Sequence, residues 1–200
     1  MYNIVDSIWI SKLIGDEGVA ITTNAWSLIL FASSILAGVQ ILASVFVAQS
    51  YVNKDKNKIK EVITPIYIIS IIVSIITSLG LILTQNFWLK LFNTPPEVFE
   101  STKTYITIYM LGHIFNFVAM TIIEAIRATG NSKVPLYILV TIEIANIILD
   151  PILINIGLGI KGAAIATAIS MILGLILSLI YIYTKNKSLC FNTKYMKLKK

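Results

Sequence analysis

A short row of polar residues interrupts one of the apolar stretches of this sequence. The run at residues 134–160 is otherwise almost entirely apolar, and it contains Glu143, Asn146 and Asp150. Steps of three and four residues return to the same face of an α-helix, so the three side chains form one polar stripe. Pro151 has no backbone N–H and leaves a carbonyl oxygen one turn earlier without its helical partner. Carboxylate, amide and carbonyl oxygens are hard ligands, and such a stripe inside a membrane is typical of a site for Na⁺ or a proton.

The elements that must position this stripe are long apolar helices. The chain has 200 residues, of which 56% are hydrophobic and only 13% are charged, about half the charged fraction of a soluble domain. Four further runs carry no charged residue: 18–53, 62–89, 104–123 and 162–184. Each run is long enough to cross about 30 Å of hydrocarbon as a helix. We therefore expect an all-α, polytopic transmembrane bundle with a partial first helix at about 1–15 and full helices at about 19–50, 62–89, 101–127, 134–158 and 162–184.

The lysine and arginine residues alternate between the two sides of such a bundle. Twelve of the sixteen lie within residues 54–60, 127–133 and 185–200, and only four lie in the loops between them. Positive residues accumulate in cytoplasmic loops, so we expect a multi-pass protein of the cell membrane, with a lobe at 1–186 and a basic cytoplasmic tail at 187–200. The formal charge of +6 fits this orientation better than it fits nucleic-acid binding.

Other residues suit supporting roles. Residues 162–184 carry a small residue at every fourth position, which lets a neighbouring helix approach closely. Thr167 lies beside this stripe and can add a hydroxyl to the polar cluster. His113 lies in an otherwise apolar helix, where a packed neutral histidine is a simpler interpretation than a proton relay. Glu124 precedes Arg127 by three residues and can pair with it.

A membrane-embedded enzyme is a different class that the sequence brings into consideration. Asp6 and Asp150 can be imagined as an aspartyl pair, since such enzymes need paired catalytic groups in opposed helices. However, no Gly-rich loop flanks either residue, and the sequence contains one histidine and one cysteine. We therefore expect a transporter rather than an enzyme, with no cofactor other than a coupling ion.

Four short segments follow one another along the chain: NIVDSIWISKLIG at 3–15, EAIRATGNSKVP at 124–135, NIILDP at 146–151 and GIKGAAIAT at 159–167. Together they resemble the amino-terminal lobe of the multidrug and toxic compound extrusion (MATE) family. The resemblance implies a six-helix lobe that is normally followed by a second, related lobe. It also implies export of small amphipathic, often cationic compounds, driven by the entry of Na⁺ or H⁺.

The resemblance also implies which residues couple transport to the ion. Asp6, Asn146 and Asp150 match the cation-coupling positions of the family, where Na⁺ would be held, and Thr167 is a fourth member. The secondary polar contacts expected around these positions are Glu143, Glu124 and His113.

Two features indicate that these 200 residues correspond to part of a transporter. Fifteen residues of helix cover only about 22 Å, so the first helix is expected to be truncated. The second lobe is expected as a partner outside these 200 residues. Two alternatives stay open, a flippase for lipid-linked oligosaccharides or polysaccharides of related fold, and a non-functional remnant of a shortened transporter.

Overall fold

Six α-helices joined by short turns make up the bundle. A computed structural model describes residues 2–195, with the side chains from Asp6 onward except that of Lys56. The helices are α1 (Tyr2–Leu13), α2 (Asp16–Val52), α3 (Lys56–Leu91), α4 (Pro96–Ala128), α5 (Lys133–Leu153) and α6 (Gly159–Thr184). No strand occurs within residues 2–195, so the all-α prediction is confirmed. Of the expected tail at 187–200, residues 196–200 lie outside the described residues.

Four stretches of the described chain are long and apolar enough to cross a membrane. They are Asp16–Val52, Asn57–Leu91, Pro96–Ala128 and Lys133–Thr184, the last of which contains both α5 and α6. Large apolar side chains cover the outside of these helices, among them Ile41, Ile76 and Leu83, which are 62%, 65% and 81% exposed. Lipid chains match such a surface, whereas a soluble protein rarely exposes so large an apolar area. The chain is therefore a multi-pass membrane protein.

Four of the helices, α2, α3, α4 and α6, are longer than the apolar runs that predicted them. α2 begins at Asp16 and α3 at Lys56, so charged residues extend each helix beyond its apolar run. The start of α3 is fixed by Asp55, whose Oδ1 accepts the backbone N–H groups of Asn57 and Lys58 at 3.0 Å each. This cap supplies partners for N–H groups that the first turn of a helix leaves free.

α5 and α6 form a helical hairpin whose turn differs from the expected helix at 134–158. The α-helix ends at Leu153, and a π-helical turn, Ile154–Leu158, leads into α6. Gly157 and Gly159 have φ angles of 96° and 52° in this turn, which only glycine adopts without strain. The chain can therefore reverse over a few residues, so that the inner faces of α5 and α6 lie together.

Two glycines of the small-residue stripe bring α5 and α6 close together. A Cβ atom at Gly162 would lie 2.6 Å from the carbonyl of Leu153, and one at Gly174 would lie 2.5 Å from Ile142 Cδ1. Helix backbones approach most closely where such small residues line the contact. The close approach predicted from the stripe is therefore confirmed.

α4 runs through the middle of the bundle and packs against α2, α3 and α6. It approaches α6 closely at Gly112, where an added Cβ atom would lie 2.7 Å from both Cα and Cβ of Ala168. The neighbouring atom is backbone and cannot rotate away. This contact fixes α4 against the helix that carries Thr167.

Gly112→Ala is expected to destabilise the purified chain by about 1–3 kcal/mol, the usual cost of overpacking a tight contact. The matched control is Gly80→Ala in the interior of α3, where an added Cβ atom meets nothing within 4 Å. That control should keep the wild-type stability or raise it slightly, since alanine favours helix more than glycine. Thermal unfolding of the three proteins in one detergent measures the difference. Equal melting temperatures for the two variants would contradict the α4–α6 contact.

α1 is the shortest of the six helices. Its 12 residues span about 18 Å, and it is not among the four stretches of the described chain that are long enough to cross a membrane. It packs against α2, α5 and α6. This packing leaves Asp6 only 8% exposed, on the inside of the bundle.

Candidate cation site

α5 and α6 bring three polar side chains together inside the bundle. The Asn146 amide nitrogen donates to Asp150 Oδ1 at 3.2 Å and to Thr167 Oγ1 at 3.4 Å. The Thr167 hydroxyl in turn donates to the carbonyl of Ala163 at 3.0 Å. Exposed fractions of 1%, 0% and 2% for Asn146, Asp150 and Thr167 show that the cluster is buried. The stripe on α5 therefore faces the interior of the bundle, and α6 adds a hydroxyl to it.

Asp6 enters the same region from α1. Its carboxylate lies near enough to that of Asp150 for the two to interact electrostatically across the α1–α5 contact. Among the described residues, three buried oxygens of this group have no hydrogen-bond partner: Asp6 Oδ1, Asp150 Oδ2 and Asn146 Oδ1. Unpartnered buried acceptors are costly. Oxygens so placed are suited to sharing a cation or a proton, which would also relieve the repulsion between the two carboxylates.

A cavity of about 170 Å³ opens beside Asp6. Its polar lining comes from α1, α2 and α4 and consists of Asp6, Ser7, Thr22, Thr23 and Tyr105. Sites for drug-sized ligands occupy roughly 300–1,000 Å³, whereas one water molecule takes about 30 Å³. The cavity therefore has room for an ion and a few waters but is too small for a drug-sized compound.

Of the expected secondary contacts, Glu143 is the one that lies near this group. It is half-buried one helical turn before Asn146, and its charge acts on Asp6. Glu143 therefore adds negative charge at the edge of the cluster.

Glu124 and His113 lie elsewhere on α4. Glu124 Oε1 accepts from the guanidinium of Arg127, the pairing that their spacing predicted, and Glu124 lines a separate groove against α2. His113 is buried, with Nε2 3.4 Å from Ser33 Oγ and its ring centroid 6.1 Å from that of Tyr109. Neither residue lines the cavity beside Asp6. The structure therefore does not bring them together with the cluster on α5 and α6.

Sequence reasoning missed three of the residues around Asp6. Tyr105 is buried in the cavity wall and stacks on Tyr109, with ring centroids 6.1 Å apart. Thr22 and Thr23 reach the same cavity from α2. The sequence did contain a signal for Tyr105, because Tyr105, Tyr109 and His113 recur every four residues and so share one face of α4. Nothing comparable distinguishes the two threonines.

Comparison with known proteins places this chain in a family. A sequence model of the MatE family matches residues 1–152. Probable multidrug resistance protein YoeA of Bacillus subtilis (strain 168) is 28% identical over 210 residues, which cover 98% of this chain and 44% of that protein. Probable multidrug resistance protein YpnP of the same organism is 27% identical over 202 residues, with the same two coverages.

The fold has counterparts among solved structures. One is the outward-facing structure of a multidrug resistance MATE family transporter of the MOP superfamily, with a TM-score of 0.90 and 22% identity over 99% of this chain and 44% of that chain. The chain thus spans less than half the length of the relatives it matches. With the family model covering most of its residues, the chain belongs to the MatE family, the multidrug and toxic compound extrusion transporters, and corresponds to their amino-terminal lobe.

Proposed function

We propose that this chain forms one lobe of a Na⁺- or H⁺-coupled antiporter, a secondary transporter rather than an enzyme. The observation that carries the proposal is the group of three partnerless buried oxygens on Asp6, Asn146 and Asp150. A bound ion would supply their missing partner, and Thr167 would contribute its hydroxyl. A ligand shifts a protein between two conformations only by the difference in its affinity for them. In the helix packing described above, the three oxygens lack partners that an ion would supply. A conformation in which the helices pack differently would bind that ion with a different affinity.

The exported compounds are proposed to be small, amphipathic and often cationic. The names of the two Bacillus relatives, probable multidrug resistance proteins, support this class. The cavity beside Asp6 is too small for such compounds, and transporters of repeated architecture bind substrate between their lobes. In this proposal the lobe holds the ion, and the substrate binds where this lobe meets a second one.

A flippase for lipid-linked sugars is the alternative of related fold. Such a protein has to accommodate a phosphate-linked headgroup, which basic residues in the central cavity would favour. Four of the apolar runs carry no charge at all, and the fifth carries only acids. This distribution favours cationic over anionic substrates. The third hypothesis, a non-functional remnant, predicts no transport of either kind. Any transport by a two-lobe protein that contains this lobe would contradict it.

The proposed setting is the cell membrane, with residues 1–186 as the lobe and the segment from 187 onward on the cytoplasmic side. The distribution of lysine and arginine among the loops supports this orientation. The proposed partners are the lipid bilayer and a second six-helix lobe.

A transporter in which this lobe is joined to the carboxy-terminal lobe of a MATE relative tests the function directly. Liposomes containing it are loaded with ethidium, and either a Na⁺ gradient at constant pH or a pH gradient without Na⁺ is imposed. We expect ethidium efflux to accelerate several-fold under one of the two gradients and to return to the protein-free rate when an ionophore collapses it. Translocation of a fluorescent lipid-linked sugar without ethidium efflux would support the flippase instead.

A further inference from the structure

The chain that follows α6 folds back onto the bundle. Leu189 is fully buried, and the Cys190 thiol donates to the carbonyl of Ile182 at 3.3 Å. The backbone N–H of Asn192 donates to Thr64 Oγ1 at 3.3 Å. Residues 187–195 are therefore held against α3 and α6, at the end of the bundle where α2 ends, α3 begins and α6 ends. We call this the inner end.

The returning segment borders a half-open cavity of about 640 Å³ beside the turn between α2 and α3. This inner cavity is lined by Tyr51, Val52, Lys54, Ile59, Asn186 and Ser188. The turn has a defined backbone conformation, since Lys54 has a φ of 55° and its N–H donates to the carbonyl of Tyr51 at 2.9 Å. A non-glycine residue in this left-handed region is uncommon. The Lys54 side chain is thus presented at the cavity by a defined backbone.

The inner cavity lies in a strongly positive environment. Residues 54–61 and 185–188 contain six lysines and two acids, and one of the acids, Asp55, is engaged in capping α3. Among the described residues, no ion pair involves Lys54 or Lys187. The Lys54 ammonium in the cavity wall is therefore available to an external anion, as is that of Lys187, whose chain neighbours Asn186 and Ser188 line the cavity.

An apolar track leads away from the inner cavity along α2. Val52 lies in the cavity wall and is 79% exposed, and Val45 and Ile41 continue the track at 44% and 62% exposed. Steps of seven and four residues keep the three side chains on one face of the helix. Val45 and Ile41 also line the groove that contains Gln40, Ser44 and Glu124, so polar residues border this track on one side. The cavity thus joins a positive, hydrogen-bonding pocket to an apolar strip along α2.

We propose that the inner cavity binds the headgroup phosphate of an anionic phospholipid such as phosphatidylglycerol, with an acyl chain lying along Val52, Val45 and Ile41. The Lys54 ammonium, the Tyr51 hydroxyl and the Asn186 amide are donors that a phosphodiester accepts. Basic pockets at the cytoplasmic side of membrane helices bind anionic headgroups in this way. The proposal does not rest on ion coupling, since none of these residues belongs to the candidate cation site.

Native mass spectrometry of the purified chain, titrated with phosphatidylglycerol or phosphatidylcholine, tests the proposal. We expect one phosphatidylglycerol to be retained in preference to phosphatidylcholine. The double variant Lys54→Gln/Lys187→Gln should weaken that binding about 30-fold, as expected for two lysines near a lipid phosphate. The control Lys90→Gln/Lys161→Gln removes the same charge from the opposite end of the bundle and should leave binding unchanged.

Three results would overturn the proposal. Equal retention of phosphatidylcholine would mean that the cavity does not select an anionic headgroup. Equal loss in the control pair would mean that overall charge, rather than this cavity, attracts the lipid. Displacement of the lipid by inorganic phosphate at comparable concentration would make the pocket a site for small anions.

Cys190 gives a second, local readout because it is the only cysteine of the sequence. Burial raises the pKa of its thiol, whereas Lys60 and Lys187 lower it. A bound phosphate would offset these lysines and reduce the thiolate fraction, which is the form that reacts. Alkylation by N-ethylmaleimide should therefore be slower in phosphatidylglycerol than in phosphatidylcholine nanodiscs for the wild type and for Lys90→Gln/Lys161→Gln. A rate that responds equally to the lipid in Lys54→Gln/Lys187→Gln would count against binding at this cavity.

Discussion

Asp150→Asn, in a two-lobe transporter that carries this lobe, is expected to abolish gradient-driven efflux and to leave membrane insertion intact. Asparagine has nearly the shape of aspartate, and its carbonyl oxygen can still accept the hydrogen bond that Asn146 donates at 3.2 Å. What it lacks is the negative charge and the capacity to take up and release a proton. Efflux of ethidium from proteoliposomes, normalised to the amount of inserted protein, measures the loss.

The matched control is Asp16→Asn, the same chemical change at an exposed acid at the start of α2. Its efflux should equal that of the wild type. Undiminished efflux by Asp150→Asn would contradict the candidate cation site. A loss of similar size in both variants would point to net charge instead, and it would contradict the site equally. The same thermal unfolding assay used for Gly112→Ala shows whether either variant alters the bundle.

Liposomes that contain only this 200-residue chain are expected to show no gradient-driven efflux. Alternating access requires one bundle to move against another around a site near their interface, and one lobe supplies one side of that interface. The relatives are more than twice as long as the part that matches this chain. Joining a carboxy-terminal lobe should therefore raise efflux from the protein-free rate to a gradient-dependent one.

Two further preparations sharpen this comparison. Extending the first helix to full membrane length without a second lobe should leave efflux at the protein-free rate. Supplying the second lobe as a separate chain should restore part of the activity if the two associate. Gradient-dependent efflux by the 200-residue chain alone, whether as a homodimer or as a single copy, would contradict the prediction that this lobe needs a second lobe to transport.

The sequence predicted the helices and part of the site because both depend on local periodicity. Charge-free runs mark the segments that lipid accepts. The four-residue step between Asn146 and Asp150 fixes both side chains on one face of α5 without any knowledge of the other helices. The small-residue stripe on α6 likewise predicted a close helix contact, which Gly162 and Gly174 make.

What the sequence did not predict depends on contacts between helices. No local pattern places Asp6 next to Asp150. Their relation was suggested by the family resemblance and by the aspartyl pair considered for the enzyme class. Tyr105, Thr22 and Thr23 reach the cavity from two other helices, and their positions follow from how α2 packs against both α1 and α4. Glu124 and His113 differ from the expectation for the same reason. They were predicted as secondary contacts of the cluster because they are polar residues in an apolar helix, and the packing of α4 places them away from it.

The tight glycine contacts between α5 and α6 hold two of the three helices of the candidate cation site in a fixed relation to each other. Asn146 and Asp150 are one turn apart on a single helix, about 6 Å along its axis, and Gly162 and Gly174 hold the helix of Thr167 against them. Asp6 comes from the short α1, whose own tight contact is made to α2, where a Cβ atom at Gly18 would lie 2.6 Å from Ile10 Cγ2. The separation between Asp6 and Asp150 is therefore linked to the packing of the twelve-residue α1 on α2. In the proposed antiporter, this packing would determine how large an ion the two carboxylates can share.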